Sequence, residues 1–295
     1  MTSAQFRPRG EHVANRLTAR SESVTTRARG NADRVGSLVA SQVEGGSKPL
    51  FWVSGGPSEV ANTSFLVRTL AADKWLSALR WDAVRLSRRS RSIAAIAERC
   101  LPEIRRVQAT GSYILLGEGS GGLIAQEICR MLIRDGNAVD LLVMYDAPHM
   151  ASGHYVRPSL LERVVTAVRT PGAKARARRE VEMWRCDLQS RVGREVSASN
   201  RQKYAQWVVN RAVQRHVPNP PDVHTLLFTT GETNARLLGL RGRWTDDAMG
   251  WSSYASDRFE IHPISSGPPY DPSDSQAGEI LNDALATVEG RRWPD

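Results

Sequence analysis

The chain is short of several things, and each shortage excludes something. No apolar run approaches the roughly 20 residues that a membrane-crossing helix needs, so a soluble protein is expected. Cysteine is scarce: Cys100, Cys129 and Cys186 are an odd number at unrelated spacings, which excludes a disulfide framework and fits a reducing, cytoplasmic compartment. No Cys/His cluster has zinc-ligand spacing and no nucleic-acid module is evident, so neither a metal centre nor nucleic-acid binding is expected. The Arg-rich N-terminus has no apolar centre and no small-residue cleavage site, which rules out a secretory signal. Acidic residues are also in deficit, 31 against 40 Lys and Arg, leaving a net charge of +9. Such a balance suits an acidic partner, although charge alone does not choose among nucleic acid, a membrane surface and an acidic protein.

What is present is enough for one sizeable core: 295 residues with eight Trp, the length of a single α/β sheet carrying an insertion. Residues 1–47 are polar, Ser/Thr/Arg-rich and punctuated by glycine, and read as a flexible basic extension ahead of a domain spanning 48–295. In that domain, Pro49 to Val53 reads as a buried strand ended by Ser54, Gly55 and Gly56. A helix is expected near Ser64–Leu70 and a second strand near Trp81–Leu86. From Ser92 to Gln108 the apolar residues fall at helical spacing, with Ser92 placed to cap. Next come a strand at Ser112–Leu116, a glycine-rich turn from Gly117 to Gly122, and a helix from Leu123 to Arg134. Another buried strand, Asp140 to Tyr145, stops at Asp146. Alternating strands and helices predict a mostly parallel, doubly wound sheet, in which ligands collect at the carboxyl ends of strands. Residues from about 151 to 218 are helical and charged without a strand pattern, a helical lid. Strands return at Val223–Phe228 and Phe259–Ile264, and a helix near Ser275–Val288 closes the chain.

Four stretches in this order resemble the type I and type II thioesterases of non-ribosomal peptide and polyketide synthases, members of the α/β-hydrolase superfamily. They are PLFWVSGG (49–56), the run from Ser92 to Leu132 containing LLGEGSGGLIAQE, LLVMYDAP (141–148), and TDDAMGWSSYASDRFEIHPISSG (245–267), which includes Gly250-Trp251. The resemblance implies an α/β-hydrolase fold with a strand–turn–helix nucleophile elbow. It places Gly117 and Gly121 at the flanking glycines, Gly119 at the nucleophile, Asp146 at the acid 27 residues on, and Pro269 on or beside the histidine position. It also implies an oxyanion site built from Ser54, Gly55, Gly56, Gly119 and Ser120.

Glycine has no nucleophile and proline no titratable group, so the resemblance implies a degenerate triad that keeps only its acid. An anion hole without a nucleophile still binds a carbonyl or carboxylate and can stabilise an enolate or alkoxide, with Asp146 or Glu118 as the candidate base. That chemistry would be cyclisation, isomerisation or elimination; the same cleft without turnover would serve a non-catalytic partner. The alternative is an acyl hydrolase using Ser120 in an elbow shifted by one residue. His149 and His154, just beyond Asp146, are candidates for a relocated base or plain loop residues. No cofactor is implied beyond a phosphopantetheine arm carrying the substrate. An acyl or peptidyl carrier protein is the implied partner, and Arg176, Arg178 and Arg179, near Arg169 and Lys174, are candidates to meet it. A solvated helical face explains the same run of charges.

Overall fold

The computed structural model describes residues 38–41, 48–55, 70, 75–79, 91–157, 159, 161, 173–230, 243–264 and 275–290. The elements are β1 (Leu38–Ser41), β2 (Pro49–Val53), β3 (Trp75–Leu79), α1 (Ile93–Val107), β4 (Tyr113–Glu118), α2 (Ser120–Arg134) and β5 (Val139–Tyr145). After them come β6 (Tyr155–Val156), α3 (Ala173–Arg191), α4 (Ala198–Arg215), β7 (Thr225–Thr229), β8 (Arg243–Trp244), β9 (Phe259–Pro263) and α5 (Ser275–Gly290).

Seven strands form one sheet in the order β1-β3-β2-β4-β5-β7-β9. Every pairing is parallel except that of β1 with β3. Strands of this sheet are apolar on both faces because both are covered. Phe51, Val53, Leu115, Leu142, Met144 and Leu227 point to the face packed by α1, α2 and α4. Leu50, Trp52, Ile114, Leu116, Val143 and Phe228 point to the other, with Ala277, Leu281, Leu285 and Val288 of α5. The alternation is the period of two expected of a strand.

The sequence reading differs from the structure in four places. The second strand lies at Trp75–Leu79, not near Trp81–Leu86; that stretch lies outside the described residues, as does the expected helix near Ser64–Leu70 except for Leu70. Within the expected extension, Leu38–Ser41 pairs antiparallel with β3, its short apolar run completing the sheet edge. The helix after the glycine turn begins at Ser120, three residues early, because glycines allow the helix to start against the strand end. The lid holds a two-residue strand, β6, paired with β8. The cap was legible: Ser92 Oγ accepts from Ala95 N at 3.2 Å.

In the lid, α3 and α4 are joined through Asp187. This buried carboxylate accepts from Tyr204 Oη at 2.9 Å and Arg191 Nε at 2.6 Å, and it is bonded by Arg91, just ahead of α1. The three cysteines are free and buried, and burial pushes the thiols of Cys100 and Cys129 up to about 12.

The N-terminus of α2 is wedged between strands. A Cβ on Gly121 would stand 2.1 Å from the Val53 carbonyl oxygen, and one on Gly117 would stand 2.4 Å from the Gly121 carbonyl oxygen. Gly153, by contrast, has nothing within 4 Å of such an atom. Gly121→Ala is therefore expected to cost about 3 kcal/mol or more in urea unfolding, against about 0.5 kcal/mol or less for Gly153→Ala.

Candidate functional site

Four neighbouring parallel strands, β2, β4, β5 and β7, end on the same edge of the sheet. Their next residues are Ser54, Gly119, Asp146 and Thr230, so the chemistry-bearing positions meet across adjacent strands roughly 5 Å apart.

Gly119 is the apex between β4 and α2, with φ 54° and ψ −119°. That conformation lies outside the regions open to most L-residues and is free only to glycine. Its amide donates to the Tyr145 carbonyl at 2.7 Å, tying the turn to the end of β5. Ser120 is already helical and only 1% exposed, and its hydroxyl donates to the Gly55 carbonyl at 2.5 Å. The apex is thus residue 119, and the neighbouring hydroxyl is turned into the loop after β2. Ser54 is buried beside it, and Glu118, the last residue of β4, is half-buried. Gly56 and Pro269 lie outside the described residues.

Asp146 is buried and itself has positive φ, 46°. Its carboxylate accepts from the Thr230 amide at 2.8 Å and from the Thr230 hydroxyl, which stands 3.0 Å from both oxygens. Thr230 was missed in the sequence. The signal that would have found it is its place one residue beyond a strand parallel to β5.

The segment after Asp146 is braced by the Gly-Trp motif. Trp251 Nε1 donates to the Ala147 carbonyl at 2.7 Å. Gly250, at φ 93°, leaves space where a Cβ would meet Ser152 Oγ at 2.3 Å. Asp246 fastens this turn by accepting from Gly250 N at 2.8 Å and Ser252 Oγ at 2.6 Å.

His149 is held inside that brace and has no hydrogen bond to Asp146. Its ring lies 4.8 Å from that of Trp251 and 5.6 Å from that of Tyr254, with Nε2 3.5 Å from Tyr254 Oη and Nδ1 buried without a partner. Burial pushes its pKa down. His154 stands apart with Thr245, Nδ1 to Oγ1 at 3.4 Å. Arg178 and Arg179 are exposed near the start of α3.

His216, the residue after α4, is neutral in the folded protein. Burial, and then the charge of Arg130, take its pKa down to about 4. Glu127 is 3.7 Å from it, but that carboxylate is gripped by Arg130 at 3.0 and 2.9 Å and does not offset the burial.

The parallel sheet, the strand–turn–helix apex and the acidic residue ending the next strand define an α/β-hydrolase fold. The Thioesterase domain family model matches residues 66–281, and the chain belongs to that family. Among solved structures, a four-domain holo nonribosomal peptide synthetase bound to AMP and glycine shares 19% identity at TM-score 0.58, covering 90% of this chain and 21% of that one. The RedJ thioesterase of the prodiginine pathway in Streptomyces coelicolor shares 16% at TM-score 0.51, covering 80% and 90%. These likenesses concern the fold. Short stretches match curated synthases. A probable non-canonical nonribosomal peptide synthetase, CymA of Salinispora arenicola (strain CNS-205), is 38% identical over 56 residues, 19% of this chain. The non-reducing polyketide synthase Preu8 of Preussia isomera is 44% identical over 48 residues, 16% of this chain. The matches cover 1% and 2% of those synthases. Among the described residues, no helix is long and apolar enough to cross a membrane.

The pH dependence of stability follows from His216. Its folded pKa lies below its ordinary value of 6.5, so between pH 6.5 and 4 the unfolded chain takes up a proton that the folded chain refuses. The contribution is complete above pH 6.5 and is lost on acidification, up to roughly 3 kcal/mol. Thermal unfolding of His216→Gln is expected to fall less steeply than wild type across that window. A second expectation concerns the brace: Trp251→Phe removes one buried hydrogen bond and should cost about 1–3 kcal/mol by denaturant unfolding.

Proposed function

We propose that this protein acts in polyketide or non-ribosomal peptide biosynthesis, where it binds an acyl or peptidyl intermediate in the cleft between sheet and lid without forming an acyl-enzyme. One observation carries the reading: the apex of the elbow, where a side chain would be presented to a substrate carbonyl, is Gly119. The family resemblance, with its triad histidine position on or beside Pro269, supports it. The ordinary route, in which a hydroxyl attacks a thioester after histidine takes its proton, then lacks both participants.

The start of α2 supplies the other half of the site. Backbone amides at a helix N-terminus favour a carbonyl oxygen or a developing negative charge. With Asp146 or Glu118 taking a proton, the same cleft would support cyclisation, isomerisation or elimination. With neither acting, it would hold an intermediate for a synthase as a non-catalytic partner. The intermediate arrives on a phosphopantetheine arm, and the carrier protein meets the basic N-terminal part of α3 around Arg176, Arg178 and Arg179.

The test has two arms. A fluorophosphonate probe should not label the protein, acyl thioesters should not be hydrolysed, and a non-hydrolysable acyl-pantetheine amide should bind saturably. Labelling that disappears in Ser120→Ala would instead establish a hydrolase with its nucleophile at Ser120, against the contact of that hydroxyl with Gly55. If turnover is found, Asp146→Asn or Glu118→Gln should reduce it about 100-fold or more. Full activity in both variants would exclude a carboxylate base.

A further inference from the structure

Helix α3 buries one side and leaves an apolar stripe on the other. Met183, Cys186 and Asp187 face the lid interior. Val181, Trp184 and Leu188 are 53%, 46% and 64% exposed, and Val192, just beyond the helix end, is 65% exposed. At 100° per residue these four fall within about 80° of arc on the outward side, opposite the buried set. Single exposed apolar residues need no explanation, but a row at i, i+3, i+7 and i+11 is a surface.

The basic residues on this side share the stripe. Lys174, Arg178 and Arg185 are exposed and project in the same sector as Val181. Arg185 and Leu188 with Val181 and Trp184 complete an i, i+3, i+4, i+7 face.

Trp184 is held in place before anything docks. Its ring packs edge-on to Trp207 of α4 at 5.5 Å, and the Arg211 guanidinium sits 4.7 Å from the centres of both rings. Trp207 is itself fixed by a bond from Nε1 to Glu180 at 3.1 Å. A half-exposed tryptophan already immobilised loses little freedom on binding, which is the property of an interface anchor.

We infer that the outward face of α3 is a docking surface for an acidic amphipathic helix of another protein or domain. Its apolar side would lie along Val181, Trp184 and Leu188, with its carboxylates on Lys174, Arg178 and Arg185. A second copy of this chain does not suit the face, because two such stripes would oppose like charges. An anionic membrane does not suit it either: the stripe is one helix wide, and exposed Glu180 and Glu182 flank it on either side. A helix is a ligand of that width, and helix-on-helix recognition reads this i, i+3, i+4, i+7 pattern. The face shares Arg178 with the carrier contact proposed above and deepens that part of the reading, but it stands whether or not the cleft binds an acyl group.

The probe is a fluorescein-labelled helical peptide of about 20 residues with leucines on one face and glutamates along the one flank that meets Lys174, Arg178 and Arg185, followed by anisotropy against the full chain. Saturable binding in the micromolar range at low salt is expected. It should weaken at least about tenfold in Leu188→Glu and in the double variant Arg178→Glu/Arg185→Glu, and fall with added salt. A peptide with lysine in place of glutamate should not bind. Failure of the acidic peptide to bind, or binding indifferent to both variants, overturns the inference. Tighter binding to phosphatidylglycerol vesicles, lost in Leu188→Glu, would assign the face to a membrane. Concentration-dependent dimerisation lost in the same variant would assign it to a second copy. Binding of the acyl-pantetheine amide, measured on the same variants, separates failure here from failure of the cleft reading.

Discussion

The rest of the site depends on how closely the start of α2 approaches the strands beneath it. A helix normally keeps its distance from a sheet because side chains stand between them; here Gly117, Gly121 and Gly122 remove those side chains, and Gly121 lies directly on the end of β2. Only then does the β4–α2 turn become tight enough to need the backbone found at Gly119. The same approach brings Ser120 against Gly55 and carries the first helical amides to the edge where β2, β4 and β5 end. A single added methyl at Gly121 would act on all of these at once.

A second layer of support works through polar groups rather than through their absence. Thr230 fastens the carboxylate of Asp146 to the end of β7, and Trp251 fastens the next residue, Ala147. Because a buried carboxylate without donors is costly, Thr230 does for Asp146 what a hydrogen-bond partner must do somewhere in any such site. Asp146 is accordingly well built as a structural element, which is compatible with catalysis but does not require it.

Much of this was legible in the sequence, for identifiable reasons. Buried parallel strands announce themselves as short apolar runs, so β2, β4, β5, β7 and β9 were found to within a few residues, and the N-cap and periodicity of α1 were found with them. The elbow was legible because close packing demands glycine at particular spacings. What was not legible depends on contacts distant in the chain. Thr230 meets Asp146 across 84 residues, and nothing local marks a threonine for that role. His149 looked available from its position three residues after Asp146, yet the fold encloses it between Trp251 and Tyr254. The outward apolar stripe of α3 escaped notice because periodicity shows that a helix has faces without showing which face is covered.

The antiparallel edge strand sets where the preceding chain enters the molecule. Leu38 pairs with Leu79 and Ser41 with Leu76, so β1 runs against its neighbour and begins at the carboxyl edge of the sheet. That is the edge bearing Gly119 and Asp146, two strands from the end of β2. A tag, fusion or neighbouring domain joined directly ahead of Leu38 is tethered at the edge that bears Gly119 and Asp146, whereas one joined to the other end of that strand would start from the opposite edge.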